Sequence, residues 1–252
     1  MRYDLAVIGS GQGGVPLAVD FAHRGKRVVL FERARLGGCC VNVGCTPSKS
    51  FLASAHAAGR ARRAAEIGVR CVVTTDDRFV LDRVRRIVGD WHDGLERKLA
   101  KSAVELVRAE ASFDAPHVIR AGGETYEADV VVIDTGGRAV HPPIDGLAGT
   151  PFLTNENFFE QEALPHELLV LGSGYIGLEL GQGAARLGSR VTVVTPDDRL
   201  VAREESDACD VLTKSFTRDG IAVHLNRKAV KVAHDGARFT LTLDDGATLS
   251  GD

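Results

Sequence analysis

The chain has 252 residues, 44% of them apolar and 26% charged, with a formal net charge of −3. This is the composition of a globular protein with its own core, and it argues against a nucleic-acid partner. No apolar run reaches the ~18 residues of a membrane span. The first residues enter a strand directly, so no signal peptide is expected. Five cysteines are too few and too local for a secreted disulfide scaffold, so a cytosolic protein without a membrane partner is expected.

Residues 3–8 read as a buried strand, and Gly9-Ser10-Gly11-Gln12-Gly13-Gly14 follows at once. The pattern predicts a helix over 15–23, packed through Ala18, Val19 and Ala22 and ended by Gly25, then a strand over 27–31 closed by Glu32. This is a βαβ opening with a dinucleotide fingerprint. Gly9 and Gly11 allow a tight turn and close approach of the backbone to a pyrophosphate, and Gly14 lets helix and strand pack. The helix N-terminus faces the phosphates, and an acid at Glu32 suits an adenosine ribose.

Residues 37–49 hold three of the five cysteines. Cys40 and Cys45 bracket a short loop, Val41-Asn42-Val43-Gly44, and Thr46-Pro47-Ser48-Lys49 opens a helix. A disulfide across so short a ring is strained and reducible, and Cys45, just before the helix, sits where the dipole favours a thiolate. A redox-active pair is one reading. Two neighbouring buried cysteines are another. A metal pair is a third, and it lacks a nearby Cys/His cluster to complete it.

Residues 50–66 are alanine-rich and helical. A long polar helix is expected over 76–107, with Val80, Val84, Ile87, Trp91, Leu95 and Leu99 as its apolar stripe, Trp91 in the core, and the arginines of 83–86 as a solvated face. Residues 117–128 suggest short antiparallel strands, and Val130 to Ile133 a fully apolar strand ending in the turn Asp134-Thr135-Gly136-Gly137-Arg138. Residues 142–146 read as a linker. A strand over 168–171 then runs into Gly172-Ser173-Gly174-Tyr175-Ile176-Gly177, a second fingerprint 163 positions after the first. A helix to Leu187, a Gly188 cap and a strand over 190–195 complete this second βαβ opening. Two such units predict two dinucleotides, or one chain carrying a flavin and a nicotinamide. By the same count Thr195 stands where Glu32 stood. The missing acid, with Arg199 and Arg203 close behind, leans towards NADP, against the plainer reading of both arginines as surface residues. Residues 221–252 look like a strand followed by a β-meander.

In this combination the chain resembles the class I flavoprotein disulfide oxidoreductases. The resemblance rests on Gly9 to Gly14, Glu32, Gly38 with Cys40 to Lys49, Thr135-Gly136, and Gly172 to Glu179, in that order along the chain. Mercuric-reductase-like members look closest, and dihydrolipoamide dehydrogenase is the near rival. The implied fold is α/β, with two Rossmann-like dinucleotide-binding domains of three-layer ββα character, the second incomplete. Residues 1–149 would bind FAD, and residues 150–252 would bind NADP or NAD.

The resemblance also implies roles. Cys45 would contact the flavin and Cys40 would exchange with substrate. Lys49 would lie by the flavin ring and pair with Glu179 across the domain boundary, since a lysine buried there without a partner is costly. Tyr175 would cover the nicotinamide pocket, and Ala111 and Val230 would line the two adenine sites. The substrate would be a disulfide or a metal ion, with no resident metal and a role in redox homeostasis. A homodimer is expected only for a longer form.

Three departures stand out. Cys39 replaces a threonine, Asp134 replaces a small residue, and the chain has about half the family's length. The second flavin segment, the dimerisation domain with its His–Glu dyad and the C-terminal vicinal cysteines are not in this sequence, so the chain alone is expected to be inactive. Two rivals follow: a non-catalytic dinucleotide-binding fragment, and a metal-binding protein built on Cys39, Cys40 and Cys45.

Overall fold

The computed structural model describes residues 2–252. In chain order the elements begin β1 (Arg2–Ile8), α1 (Gly14–His23), β2 (Val28–Phe31), α2 (Gly38–Asn42), α3 (Cys45–Arg63) and α4 (Asp77–Ala100). Four strands follow: β3 (Val104–Val107), β4 (Ala111–Ala115), β5 (Val118–Ala121) and β6 (Glu124–Ile133). Then come β7 (Glu167–Leu171), α5 (Tyr175–Leu187), β8 (Arg190–Val194), α6 (Ser206–Arg218), β9 (Ala222–His224), β10 (Ala229–His234), β11 (Phe239–Leu243) and β12 (Thr248–Gly251). Contacts divide the chain into two compact units, Met1–Pro47 with Arg85–Ala139, and Ser48–Val84 with Val140–Asp252.

The first unit is built on a sheet of order β3-β2-β1-β6-β5-β4. β1, β2, β3 and the later part of β6 run parallel, while β4, β5 and the start of β6 pair antiparallel. Alternation along β1 separates two cores: Leu5 and Val7 pack with Val15, Ala18 and Ala22 of α1. Ala6 and Ile8 pack with Phe31, Ile119 and Tyr126. The sheet is therefore covered by a helix on one side and by the antiparallel strands on the other, the expected ββα layering. Short apolar strands buried on both faces need no polar alternation, which is why β1 and β2 read as continuous apolar runs.

The second unit repeats the theme with a parallel sheet β7-β8-β9, flanked by α5 and α6. A separate antiparallel meander β10-β11-β12 encloses its own small core around Val232, Leu241 and Leu243. The mixed α/β, Rossmann-like architecture expected from the two fingerprints is the one observed. The C-termini of α3, α5 and α6 meet at a hollow of roughly 360 Å³ lined by Arg62, Arg63, Arg186 and Arg218. Arg186 and Arg63 share Asp219 at 2.7 and 3.3 Å, and Arg62 donates to the Arg186 carbonyl. Cations at helix C-termini offset the dipoles there, which accounts for this cluster structurally.

Several expectations need correction. The long helix stops at Ala100 rather than running to Val107, and Val104–Val107 becomes β3, paired with β2. Trp91 is 52% exposed, not core. The stripe on α4 is buried at its ends, Val80 and Val84 in one core and Leu99 in the other, while its middle turns belong to neither. The apolar run at the end of β6 is only half-covered, with Val130 and Ile133 exposed. The segment between Cys40 and Cys45 is not all loop, because Gly38–Asn42 forms a short helix. β4 and α6 had no counterpart in the sequence reading.

Candidate functional site

In the first unit the chain bends from β2 into α2 through Gly37 and Gly38, both at positive φ (101° and 58°). Neither tolerates a side chain: a Cβ on Gly38 would lie 2.9 Å from the Cα of Gly11, and one on Gly37 would strike Val41. The cysteine segment is thus pressed against the first nucleotide turn. Hydrogen bonds fix the junction, with the Gly37 N–H donating to the Ser10 carbonyl and hydroxyl oxygens, each at 3.1 Å. Asn42 staples α2, its amide donating to the Gly38 and Leu36 carbonyls at 2.9 and 3.0 Å, while its oxygen meets His92 Nε2 at 3.1 Å.

Cys40 lies on α2 and Cys45 opens α3. Gly44 permits their approach, since a Cβ there would be 3.2 Å from the Cys40 Cα. Neither thiol is in a disulfide, and Cys45 is exposed while Cys40 is half-buried. Their side chains are hydrogen-bonded to each other, and the backbone N–H groups of Cys45 and Thr46 point to the Cys40 sulfur. It is therefore Cys40, rather than Cys45, whose sulfur receives the helix N-terminus. Burial still wins: desolvation, then the hydrogen bond and charge of Cys45, push the Cys40 thiol above its ordinary value, against the smaller pull of the two amides. A raised thiol pKa means little thiolate at neutral pH. Iodoacetamide labelling of Cys40 in the reduced chain should therefore accelerate only above the ordinary thiol range, and Cys45→Ser should move that midpoint down. Peptide mass spectrometry against pH reads both, and a wild-type midpoint below the ordinary thiol range would contradict the geometry.

Cys39 turns elsewhere: its thiol donates to the Gly137 carbonyl at 3.0 Å, beside the Thr135-Gly136 turn. Among the described residues no group of three or more His, Cys, Asp or Glu is placed to hold a metal ion.

The first nucleotide turn is preorganised. Gly9 has φ 100°, and a Cβ there would fall within the Asp134 peptide, 2.7 Å from its carbonyl carbon. Glu32 is held at the end of β2 by the Ser10 hydroxyl at 2.6 Å, the Ser10 N–H at 3.1 Å and the Ala34 N–H at 2.8 Å. The amides of Gly11, Gln12 and Gly13 have no hydrogen-bond partner among the described residues, which leaves three donors for an anion. Asp134 complicates this: its carboxylate accepts from the Gly14 N–H at 2.7 Å and lies under Gly11, where a Cβ would be 2.6 Å from it. The donors and the fixed Glu32 fit a dinucleotide, with one built-in negative charge inside the turn.

In the second unit Lys49 Nζ donates to both carboxylate oxygens of Glu179 at 2.7 Å. Both residues fall in the same compact unit and the pair is solvent-accessible, so its net stabilisation is at most ~1 kcal/mol. Leu171, Gly172, Gly174, Tyr175, Ile176 and Gly177 line a shallow hollow of roughly 240 Å³ at the start of α5, and Tyr175 is 74% exposed over it. Thr195 is fully buried and makes no ribose-facing surface. Its hydroxyl instead bonds Ser173 at 3.2 Å and Asp197 at 3.1 Å. Arg199 pairs with Asp198 at 3.5 Å. Ala111 opens β4 and packs against the core of the first sheet, and Val230 lies exposed on β10. Sequence reasoning passed over Ser10, Ser173 and Asp197. The signal for them is a serine at the same place in both fingerprints, with an acid at or just past each following strand.

Similarity to known proteins agrees with this geometry. The family model described as pyridine nucleotide-disulphide oxidoreductase matches residues 3–252. A mercuric reductase of Streptomyces lividans is 38% identical, over 97% of this chain and 53% of its own length. A dihydrolipoyl dehydrogenase of Thermus scotoductus is 33% identical, over 98% of this chain and 54% of its own. The solved Cu(II) complex of the HOCl-induced flavoprotein disulfide reductase RclA from Escherichia coli superposes with a TM-score of 0.86 at 27% identity, covering 98% of this chain and 54% of that one. The chain spans about half the length of the curated relatives it matches. Members of the family use FAD and a nicotinamide dinucleotide. Among the described residues no helix is long and apolar enough to cross a membrane. Two nucleotide turns, a paired dithiol against the first of them and a match over nearly the whole chain lead to one conclusion: this chain belongs to the pyridine nucleotide-disulphide oxidoreductase family.

Proposed function

We propose that this chain is the nucleotide- and dithiol-bearing part of an FAD-dependent reductase that takes electrons from NAD(P)H and delivers them through Cys40 and Cys45 to a disulfide or metal-ion substrate. The observation that supports the reading is the junction of Gly37 and Gly38 with Ser10 and Gly11, where the cysteine segment is pressed against the glycine turn after β1. FAD, when bound, supplies hydride acceptance and electron transfer to the disulfide. The turn around Gly9, Gly11 and Gly14 would hold its pyrophosphate, Glu32 its ribose, and Gly38, Thr135 and Gly136 the neighbouring surface. Lys49 and Glu179 would act as a charged pair within the second unit.

Two electrons and two protons convert the Cys40–Cys45 disulfide to the dithiol. Cys40 loses its proton to a base, the Cys45 and Thr46 amides pointing to its sulfur, and the thiolate attacks one sulfur of a substrate disulfide. The other sulfur leaves as a thiolate and takes up a proton. Cys45 then displaces the bound half, restoring the Cys40–Cys45 disulfide. With a metal ion as substrate the dithiol gives up the same two electrons. We put the functional boundary near residues 149 and 150, and a longer form, as a homodimer, would supply the proton-transfer base.

The test uses this chain reconstituted with FAD. Mild oxidation should form one disulfide, Cys40–Cys45, with Cys39 free by peptide mass spectrometry, and nicotinamide-driven flavin reduction should open it. A Cys39–Cys40 bond, or a chain that retains no flavin, would overturn the reading.

Asp134 gives a separate expectation. Asp134→Asn keeps an acceptor for the Gly14 N–H but removes the charge from the helix N-terminus, so FAD should bind ~3–5-fold more tightly, the equivalent of ~1 kcal/mol. Fluorescence titration of FAD measures it, and unchanged or weaker binding counts against a charge effect.

A further inference from the structure

We infer that the second nucleotide turn selects NADH over NADPH, and that Asp197 is the discriminating residue. The inference rests on the proposed nicotinamide role of that turn. It starts from the internal repeat. Ser10 and Ser173 hold the same place in the two fingerprints. Ser10 donates its hydroxyl to Glu32 at 2.6 Å, and Ser173 donates its own to Asp197 at 3.0 Å. The carboxylate that answers to Glu32 is therefore present. It stands two residues further along the chain than counting predicts, on a shorter side chain.

The intervening Thr195 is a support rather than a substitute. It is fully buried, and its hydroxyl lies 3.1 Å from the Asp197 carboxylate, while the Asp197 N–H returns to it at 3.3 Å. The loop is held to the fingerprint by the Val201 N–H, which donates to the Ser173 carbonyl at 3.2 Å, and by the Asn226 N–H, which donates to the Asp197 carbonyl at 2.9 Å. The carboxylate is thus oriented by two hydroxyls, and it has no ion-pair partner among the described residues. Of the nearby cations, Arg199 pairs with Asp198 at 3.5 Å and Arg227 with Asp245 at 2.6 Å.

An exposed, unneutralised carboxylate at the end of the second strand accepts hydrogen bonds from a ribose 2′-hydroxyl. The same group repels a 2′-phosphate, and like charges brought together at a binding site cost several kcal/mol. The geometry reverses the preference suggested by Thr195 and the trailing arginines.

Isothermal titration of the chain with NADH and NADPH tests this directly. NADH should bind at least ~10-fold more tightly than NADPH. Asp197→Asn should bring the two within ~3-fold by weakening NADH and relieving NADPH. Asp197 lies on the surface, so the variant should fold, and its melting temperature checks that. Arg199→Ala should leave NADPH binding unchanged. A selective loss of NADPH binding in Arg199→Ala, a wild type that prefers NADPH, or a ratio untouched by Asp197→Asn would each overturn the assignment. Binding of neither nucleotide would instead remove the nicotinamide reading of the second turn, and the inference with it.

Discussion

Cys45→Ser should trap the enzyme midway through exchange. In the proposed sequence Cys40 attacks and Cys45 resolves, so the variant forms a mixed disulfide on Cys40 that nothing clears. Turnover of a disulfide substrate by the holoenzyme should fall at least ~10³-fold, because the two sulfurs act as one unit. Nicotinamide-driven flavin reduction should survive, because it precedes the dithiol. The adduct should appear as an added substrate mass on the peptide containing Cys40. Cys39 is the thiol that could rescue turnover, being adjacent in sequence. Its sulfur is turned towards the Gly137 carbonyl at 3.0 Å, away from the resolving role. A double variant lacking both Cys39 and Cys45 should therefore behave as Cys45→Ser does. Turnover by Cys45→Ser that disappears only in the double variant would show that the resolving thiol has been misassigned.

Gly9→Ala is expected to be the most damaging single-methyl change in the first unit. The residue has φ 100°, and its Cβ would fall within the Asp134 peptide. Positive φ in a non-glycine residue alone costs ~1–2 kcal/mol. Relief of the clash requires moving β6 away from β1, where the Asp134 N–H donates to the Ile8 carbonyl at 2.8 Å and four consecutive residue pairs run from Leu5 to Ile8. A total of ~3 kcal/mol or more is expected, which lowers the melting temperature by ~6–12 °C for a protein of this size. Flavin retention should be lost in parallel. Gly94→Ala is the control: its Cβ would meet nothing within 4 Å, and alanine in a helix interior stabilises by up to ~1 kcal/mol. Equal melting temperatures for the two variants would show that the β1–β6 turn bears no strain.

The parts of the fold that could be read from the sequence are those set by local rules. Both βαβ openings declare themselves through an apolar run, a glycine turn and a 3.6-residue repeat, and each appears within a residue or two of where the pattern puts it. Local rules failed where neighbours decide. Val104–Val107 continues the three-and-four spacing of α4, and only pairing with β2 makes it a strand. Trp91 sits on an apolar stripe, yet that stretch of α4 has no core to enter. α2 has five residues, too short for any periodicity, and it exists because Gly37, Gly38 and Asn42 shape it. At the site, the cysteine pair and both fingerprints were legible as motifs. Asp197 was not, because a count along the chain measures covalent distance, while the acid's place is fixed by which hydroxyl it meets. The helix-facing sulfur was misplaced for a related reason. Cys45 adjoins α3 in sequence, but the first amides of a helix point back along its axis, towards the residue that folds over them.

The hydrogen bonds from Gly37 to Ser10 also carry a thermodynamic obligation. One serine touches the nucleotide turn, the Glu32 carboxylate and the start of the cysteine segment. If closing or opening the Cys40–Cys45 bond changes dinucleotide affinity at the turn by some factor, then occupancy of the turn must shift the midpoint potential of the dithiol by the same free energy. A tenfold difference in affinity corresponds to ~30 mV for a two-electron couple. The reducing strength of the pair would then be set partly by its tenant next door, so the bare chain and the loaded chain would rank differently against the same external thiol buffer.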